Sequence, residues 1–379
     1  MRIGIDAREA FRSEPRGIGH YVQSLLRELP AVARGDEFLL YHQLPQPASL
    51  TLGPNLRAVH ADMPGGRLHL WERLQMPWRI RRDRLDVYHG TYNTLPPRWR
   101  AWPGAPMVLT LHDVIVTWWP DDLGDPFVRY ARAVTPRVLR DAALVLTVSE
   151  WSRKDVCERF GCDPARIRVV HNGLHADILG GAPPGAGEQA RARFAEGRPY
   201  LFAIGGALER KNTGRLLEAW GHVRRQRPDW PHLLLVSGLG KAKDRFRERA
   251  AAAGALEHVR FLPYLSQPDL IATYAGATLS VYPSLVEGWG LPVCESLALG
   301  TPVLTSNTSA MPEAGGEHAR YFDPDSAEAM AAALVDAVER WVPQWPVVRN
   351  AAMRRARSFT WRATAERVLA AYRDAAAQR

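Results

Sequence analysis

Two carboxylates, Glu287 and Glu295, bracket a glycine-rich turn in the stretch Pro283-Ser-Leu-Val-Glu-Gly-Trp-Gly-Leu-Pro-Val-Cys-Glu295. Gly288 and Gly290 let backbone approach a ligand with no side chain in the way. After Trp289 and Gly290, Leu291 and Pro292 open an apolar segment, and proline at a first helical position is pre-organised for a helix start. The free amides of such a start favour a phosphate or a sugar oxygen. At about 100° per helical residue, the spacing of the two carboxylates would not put them on one face. Glu287 therefore belongs to the turn and Glu295 to the helix, each suited to a different part of one polyhydroxyl ligand. The local chemistry is that of a sugar-phosphate site.

A second cluster, Gly205-Gly206-Ala-Leu-Glu-Arg210-Lys211-Asn212, follows the apolar run Tyr200–Ile204 and precedes a helical pattern through Leu216, Leu217, Trp220 and Val223. Asn212 is the expected N-cap. Arg210 and Lys211 at a strand-to-helix turn place two cations where a diphosphate fits, the guanidinium as a fork and the ammonium as a compact charge. Alone, the cluster reads as a solvated basic turn. One domain-length series with Glu287 and Glu295 makes it the phosphate half of one site.

Weaker features accompany these two clusters. Gly17-Ile18-Gly19 opens the first helix and serves either tight packing or a phosphate or acceptor contact; Val22 excludes the dinucleotide pattern G-x-G-x-x-G. His112-Asp113 ends the run Met107–Leu111, either near a sugar or satisfied by its own loop, with His89 a lesser version of the same choice. His171-Asn-Gly173 reads mainly as a turn. Asp323-Pro-Asp325 matches a bare D-x-D, but a polar turn before a helix accounts for it, and we expect no metal and no cofactor. Cationic side chains can neutralise a leaving diphosphate themselves.

The elements that must position these groups alternate strand and helix. Strands are expected at Arg2–Asp6, Phe38–Tyr41, Arg57–His60, Asp86–His89, Met107–His112, Leu144–Ser149 and Arg166–His171. A second series follows at Tyr200–Gly205, His232–Ser237, Val259–Leu262, Thr278–Pro283, Pro302–Ser306 and Arg320–Phe322. The pattern predicts an α/β chain of two doubly wound, Rossmann-like domains with parallel sheets facing a cleft. Ligands in such sheets bind beyond the carboxyl ends of the strands. We expect an N-terminal domain over 1–175, a Gly/Pro/Ala-rich linker over 176–198, and a C-terminal domain over 199–359. A final helix near 360–379 should cross back to the first domain.

At 379 residues the chain exceeds one ordinary core. No apolar run approaches the roughly 20 residues of a membrane span, and Met1-Arg-Ile-Gly-Ile-Asp enters a strand at once, so no signal peptide is expected. Cys157, Cys162 and Cys294 are not spaced as metal ligands and fit a reducing cytoplasm. The net charge of +9 rests on arginine, with lysine only at 154, 211, 241 and 243; that bias reads as genome composition more than function. A basic surface suits anionic lipid or a phosphorylated substrate, and no motif points to nucleic acid. The segment Arg67–Arg84 mixes Leu and Trp with arginines and suits either an anionic membrane surface or packing on the first domain, with Pro77 interrupting its helix. Trp118-Trp119-Pro120 reads as an acceptor-side lid or as packing.

Taken together these residues resemble a retaining glycosyltransferase of the GT-B fold, in the large family 4 of sugar-nucleotide-dependent enzymes. The resemblance is carried by Gly17-Ile-Gly-His-Tyr-Val22, Thr110-Leu-His-Asp113, Val148-Ser-Glu-Trp-Ser-Arg153, Arg210-Lys-Asn212, the E-x7-E block 287–295 and Ala298-Leu-Gly-Thr-Pro-Val303. With Ser309-Ala-Met-Pro-Glu313 it looks most like bacterial mannosyl- and rhamnosyltransferases of O-antigen or exopolysaccharide synthesis. The resemblance implies that Arg210 and Lys211 neutralise the donor diphosphate, and that Glu287 contacts the transferred sugar. It places the amides of Gly288, Trp289, Gly290 and Leu291 near sugar and phosphate, gives Glu295 the ribose hydroxyls, and puts His112 by the transferred sugar. Gly205 and Gly206 lie in the donor loop, and Gly17, Ile18 and Gly19 near acceptor or phosphate. Many relatives carry an arginine where this chain has Gly206, so the phosphate grip rests more on Arg210 and Lys211. Trp289 replaces a common Phe. The implied donor is a nucleotide sugar, GDP-mannose first, and the implied acceptor a saccharide or lipid-linked saccharide. The implied location is cytoplasmic, peripheral on the inner membrane face.

Overall fold

The computed structural model describes residues 1–15, 17–48, 50–61, 70–98, 104–119 and 126–378. The chain divides into two units, Met1–Gly173 with Thr360–Arg379, and Leu174–Phe359. Each is built on one all-parallel sheet.

In the first unit seven strands run in the order β3-β2-β1-β4-β5-β6-β7. They are β1 Arg2–Asp6, β2 Glu37–His42, β3 Leu56–His60, β4 Val87–Gly90, β5 Met107–Leu111, β6 Leu144–Thr147 and β7 Ile167–Val169. Short runs of Val, Ile and Leu buried along their length are what a parallel sheet covered on both faces requires. One cover is the helix Gly17–Val32, whose Tyr21, Val22, Leu25, Leu26 and Leu29 are buried at helical spacing. The terminal helix Trp361–Ala376 packs in the same core through Ala365, Val368, Leu369 and Tyr372. His89 is enclosed here. Its Nδ1 lies 2.6 Å from the Tyr372 hydroxyl and its Nε2 2.7 Å from Thr110 Oγ1, with Tyr21 on the same Thr110 at 3.1 Å. Burial pushes its pKa down to about 3. His89 is therefore a satisfied core histidine that ties the last helix to the sheet.

The second unit carries six strands in the order β10-β9-β8-β11-β12-β13. These are β8 Tyr200–Ile204, β9 Leu233–Ser237, β10 Val259–Phe261, β11 Leu279–Tyr282, β12 Val303–Ser306 and β13 Arg320–Phe322. The order runs outward from β8 to β10 and then returns to place β11 on the other side of β8. The β8/β11 boundary is thus the switch point where a crevice opens beyond the carboxyl ends. The pair is in parallel register, Leu279 opposite Leu201 and Val281 opposite Ala203.

Two expectations need correction. Residues 176–198 are not a free linker: Ala176–Gly180 and Ala186–Ala195 are helices of the second unit. The latter packs against the helix Gln267–Gly276, with a Cβ on Gly187 placed 3.0 Å from the backbone of Ala275 and Gly276. Small residues that looked like flexibility instead permit close helix contact. Pro77 does not interrupt its helix either. A π-helical turn at Trp71–Gln75 passes directly into the helix Met76–Arg82, and the amide that Pro77 lacks falls at the junction where the hydrogen-bond pattern changes from π to α. Residues 67–69 of that basic segment, and Pro120 of the tryptophan cluster, lie outside the described residues.

Candidate functional site

The switch point brings the two halves of the sequence motif together. After β8 a single 3₁₀ turn, Glu209–Lys211, carries both cations. After β11 the chain reaches Glu287 in the glycine turn, and the Leu285 amide donates to the Arg210 carbonyl at 2.8 Å, which locks the two loops side by side. Glu287 then accepts on both oxygens. Arg210 Nη1 donates to Oε2 at 2.9 Å, and Lys211 Nζ lies 2.6 Å from Oε1. Ser284 Oγ and the Tyr282 hydroxyl also donate to Oε1, at 2.9 and 3.1 Å, and Lys211 Nζ reaches the Tyr282 oxygen at 3.0 Å. The Glu287 amide donates to Ser309 Oγ at 3.2 Å.

One buried carboxylate therefore holds two cations of a neighbouring loop. Burial of Glu287, 8 % exposed, pushes its pKa up, but the Lys211 ammonium and the Arg210 guanidinium outweigh it and keep the carboxyl below the usual range. Burial likewise pushes Lys211 down, and the Tyr282 hydroxyl and Glu287 carboxylate more than reverse it. Lys211 is cationic and Glu287 anionic at neutral pH. The trio has a formal charge of +1.

Asn212 stands at the expected N-cap position of the following helix, but its side chain makes no cap hydrogen bond there. It sits at φ 58° and its side chain donates instead to the carbonyls of Pro283 and Pro324, at 3.1 and 2.8 Å. It thus pins the cation turn to the Glu287 loop and to the Asp323-Pro-Asp325 turn. In that turn Asp323 Oδ1 accepts from the Asp325 amide at 2.9 Å and Arg215 lies 3.6 Å from Asp325, so the D-x-D acts as a polar turn. Thr213 Oγ1 accepts from the Gly206 amide at 3.1 Å, and a Cβ on Gly206 would lie 2.6 Å from Lys211 Cγ. Glycine at 206 leaves room for the lysine stem; Gly205 is anchored by its amide on the Ser237 carbonyl.

Gly290 caps the helix Leu291–Ala298, with Pro292 in its first turn. A Cβ at 290 would stand 2.7 Å from Ala314 Cβ, so the turn is packed against its neighbour. Trp289 is 7 % exposed and meets Phe359 edge to face at 5.2 Å. Glu295, half-buried on the helix, accepts one side-chain hydrogen bond among the described residues, from the Tyr274 hydroxyl at 3.4 Å. Burial raises its pKa to about 7, against that single opposing hydrogen bond.

In the first unit, His112 leaves the end of β5 with its Nε2 on the Thr91 carbonyl at 3.1 Å and its ring edge-on to Tyr21 at 4.8 Å. Burial lowers its pKa to about 4, so the ring is neutral. Gly17 starts its helix at φ 28° with open space where a Cβ would stand, whereas a Cβ on Gly19 would lie 2.7 Å from the Glu9 carbonyl. Gly19 is thus a packing glycine, with Ile18 half-buried between the two. Trp118 is packed, its indole on Asp155 at 3.2 Å and the Arg159 guanidinium 3.8 Å above its ring. Sequence reasoning missed Tyr282, Ser284, Ser309 and Tyr274. Tyr282 and Ser284 lie five and three residues before Glu287 and were readable signals, and Ser309 stood in the quoted Ser309–Glu313 stretch without a role of its own; Tyr274 arrives from the separate helix Gln267–Gly276 and had none.

The comparisons with known proteins agree on this architecture. Residues 15–178 match the family described as Glycosyltransferase Family 4, and residues 187–354 match Glycosyl transferases group 1. The chain belongs to glycosyltransferase family 4. It is 28% identical to the O-antigen chain mannosyltransferase B of Escherichia coli, covering 98% of this chain and 100% of that protein. Among solved structures it is similar to a sucrose-phosphate synthase of Thermosynechococcus elongatus, with TM-score 0.76, 18% identity and full coverage of both chains. It also resembles Anabaena Alr3699/HepE in complex with UDP-glucose, at TM-score 0.71 and 16% identity, covering 98% of each chain. The fold is GT-B, and the family uses nucleotide-sugar donors.

Proposed function

We propose that this glycosyltransferase moves a hexosyl group, mannose from GDP-mannose in first place, onto a saccharide or lipid-linked saccharide in cell-surface polysaccharide synthesis, with retention and without a metal ion. The observation that carries the reading is the Arg210–Glu287–Lys211 cluster at the β8/β11 switch point. As the anomeric C–O bond breaks, negative charge grows on the diphosphate, and two pre-positioned cations stabilise it with no reorganisation. Glu287 positions both cations beside the sugar that the family resemblance assigns to it. Glu295 takes the ribose hydroxyls, and the amides of 288–291 face the sugar and phosphate. The acceptor hydroxyl attacks from the face the diphosphate leaves: its oxygen bonds to the anomeric carbon, and its proton passes to the departing phosphate oxygen. His112 sits by the transferred sugar, and the Gly17–Gly19 helix start lies near the acceptor or the phosphate. Mannose is favoured over rhamnose or glucose by the full-length similarity to a mannosyltransferase. Isothermal titration with GDP, UDP and dTDP, then turnover of GDP-mannose with and without acceptor, tests it. Binding of UDP or dTDP in place of GDP would overturn the donor assignment, and turnover that epimerises the sugar without acceptor would overturn transfer.

A specific observation also favours contact with the inner membrane face. No described helix is long and apolar enough to cross a membrane. Leu70, Leu74 and Trp78, however, stand exposed at four-residue spacing, beside exposed Arg73, Arg81, Arg82 and Arg84. An apolar row edged by arginines suits an anionic lipid surface. Co-sedimentation with phosphatidylglycerol vesicles should fall in the Trp78→Glu variant; unchanged sedimentation removes this part of the reading.

A further inference from the structure

The second unit has a cavity of about 590 Å³ whose walls include Gly181, Pro302, Trp345, Arg349, Met353 and Arg357. It lies at the wrong edge of the sheet for the donor. Thr278 and Pro302 on its wall immediately precede β11 and β12, whereas Tyr282 and Glu287 stand at and beyond the carboxyl end of β11. The length of β11, about 13 Å at the usual rise per residue, separates the two. The charged residues lining the cavity are both arginines, and neither has a carboxylate partner among the described residues. Arg357 is steadied by its Nε on the Ala298 carbonyl at 3.0 Å. Arg349 is exposed and passes over Gly300, where a Cβ would lie 2.5 Å from its Nε. Gly300, at φ 77°, is needed for its backbone, and having no Cβ it lets the Arg349 side chain lie close over it. Trp345 closes one wall, its indole donating to the Gly300 carbonyl at 2.8 Å.

We propose that this cavity is a second, anion-binding site, and that its ligand is a phosphate monoester on a sugar-sized or glycerol-sized body. Two guanidinium groups, both from the helix Trp345–Arg357, line the cavity and suit the forked recognition of phosphate oxygens. The volume is that of small-molecule sites, and the remaining walls of Ala, Leu, Pro, Trp and Met suit an uncharged body. Its place also gives occupancy a means of acting on the enzyme. Gly180–Ala182 come just after the chain enters the second unit at Leu174, and Arg357 just before it leaves at Phe359. A bound anion fastens these two segments to each other.

The full chain is titrated with inorganic phosphate, mannose 1-phosphate and dihexanoyl phosphatidic acid, and hydrogen exchange locates the bound probe. The expected result is protection of residues 176–182 and 345–357 by at least one probe at millimolar concentration, with binding weakened about tenfold or more in Arg349→Glu, as loss of one charged hydrogen bond implies. Arg349 is exposed, so this variant should fold; Arg357→Gln gives a second reading. Mannose 1-phosphate alone identifies a sugar phosphate, phosphatidic acid alone a lipid, and binding of all three the phosphate itself. No binding by any probe, affinity unchanged in both variants, or protection confined to 205–213 and 283–296 would overturn the proposal. The titration needs neither donor nor acceptor, so its outcome is independent of whether the proposed transfer holds.

Discussion

Replacing Glu287 with Gln tests whether one carboxylate organises the site. The side chain keeps its shape and both hydroxyl donors, Ser284 and Tyr282, but loses the charge that holds Arg210 at 2.9 Å and Lys211 at 2.6 Å. The new amide must also turn its own donor toward one of the two cations. Breaking a buried pair from one side costs about 3–5 kcal/mol. Arg210 and Lys211 retain 17% and 24% side-chain exposure, so water relieves part of this, and a stability loss of about 2–3 kcal/mol is expected. For turnover, misplacing one preorganised cationic donor removes about 2.7–4 kcal/mol of transition-state stabilisation. That corresponds to a kcat lower by about 10²–10³. Initial rates of nucleoside diphosphate release at saturating donor, with urea unfolding of the same preparation, measure both. The pH dependence adds a check of sign. Glu287 has its folded pKa depressed, so its contribution is present above the unfolded value and is lost as pH falls through the folded one. Wild type should thus lose stability on acidification more steeply than Glu287→Gln. A variant with kcat within threefold of wild type, and an unchanged acid limb, would refute the idea that Glu287 places the cations.

Three further outcomes are expected. Glu295 titrates near pH 7 when the site is empty, and ribose hydroxyls donating to it favour the ionised form, so nucleotide binding at that pH should release protons. Titration in buffers of different ionisation enthalpy reads this, and Glu295→Gln should abolish it. Asn212→Ala leaves the Pro283 carbonyl without its side-chain donor and the Pro324 carbonyl with Arg215 alone, and should cost about 1–2 kcal/mol in urea unfolding, with weaker nucleotide binding because the cation turn is unpinned. Tyr372→Phe removes the 2.6 Å partner of His89 and should lower stability by about 1–2 kcal/mol while leaving nucleotide affinity in the second unit unchanged.

Much of the fold was legible because parallel strands buried on both faces must be short apolar runs, and their spacing by amphipathic helices leaves few architectures. Arg210 and Lys211 became visible as a candidate site only beside Glu287 and Glu295 in the same strand–helix series, since the basic turn alone reads as solvated surface. Where local pattern was ambiguous it misled. The small residues of 176–198 look the same in a loose linker and in a tight helix contact, and only the neighbour at Ala275–Gly276 distinguishes them. Asn212 has the composition of an N-cap and the geometry of a staple between three loops.

By itself, then, the sequence determined the two sheets, the order of their strands along the chain, and the residue types of a candidate site. The tertiary structure decided how those residues are wired. Arg210 and Lys211 lie more than seventy positions from Glu287, and they meet because β8 and β11 are neighbours at a switch point. Strand adjacency is set by the burial of whole faces, which no local spacing encodes. It turned two apparent half-sites into one carboxylate holding two cations, and it placed an arginine-lined cavity at the sheet's opposite edge.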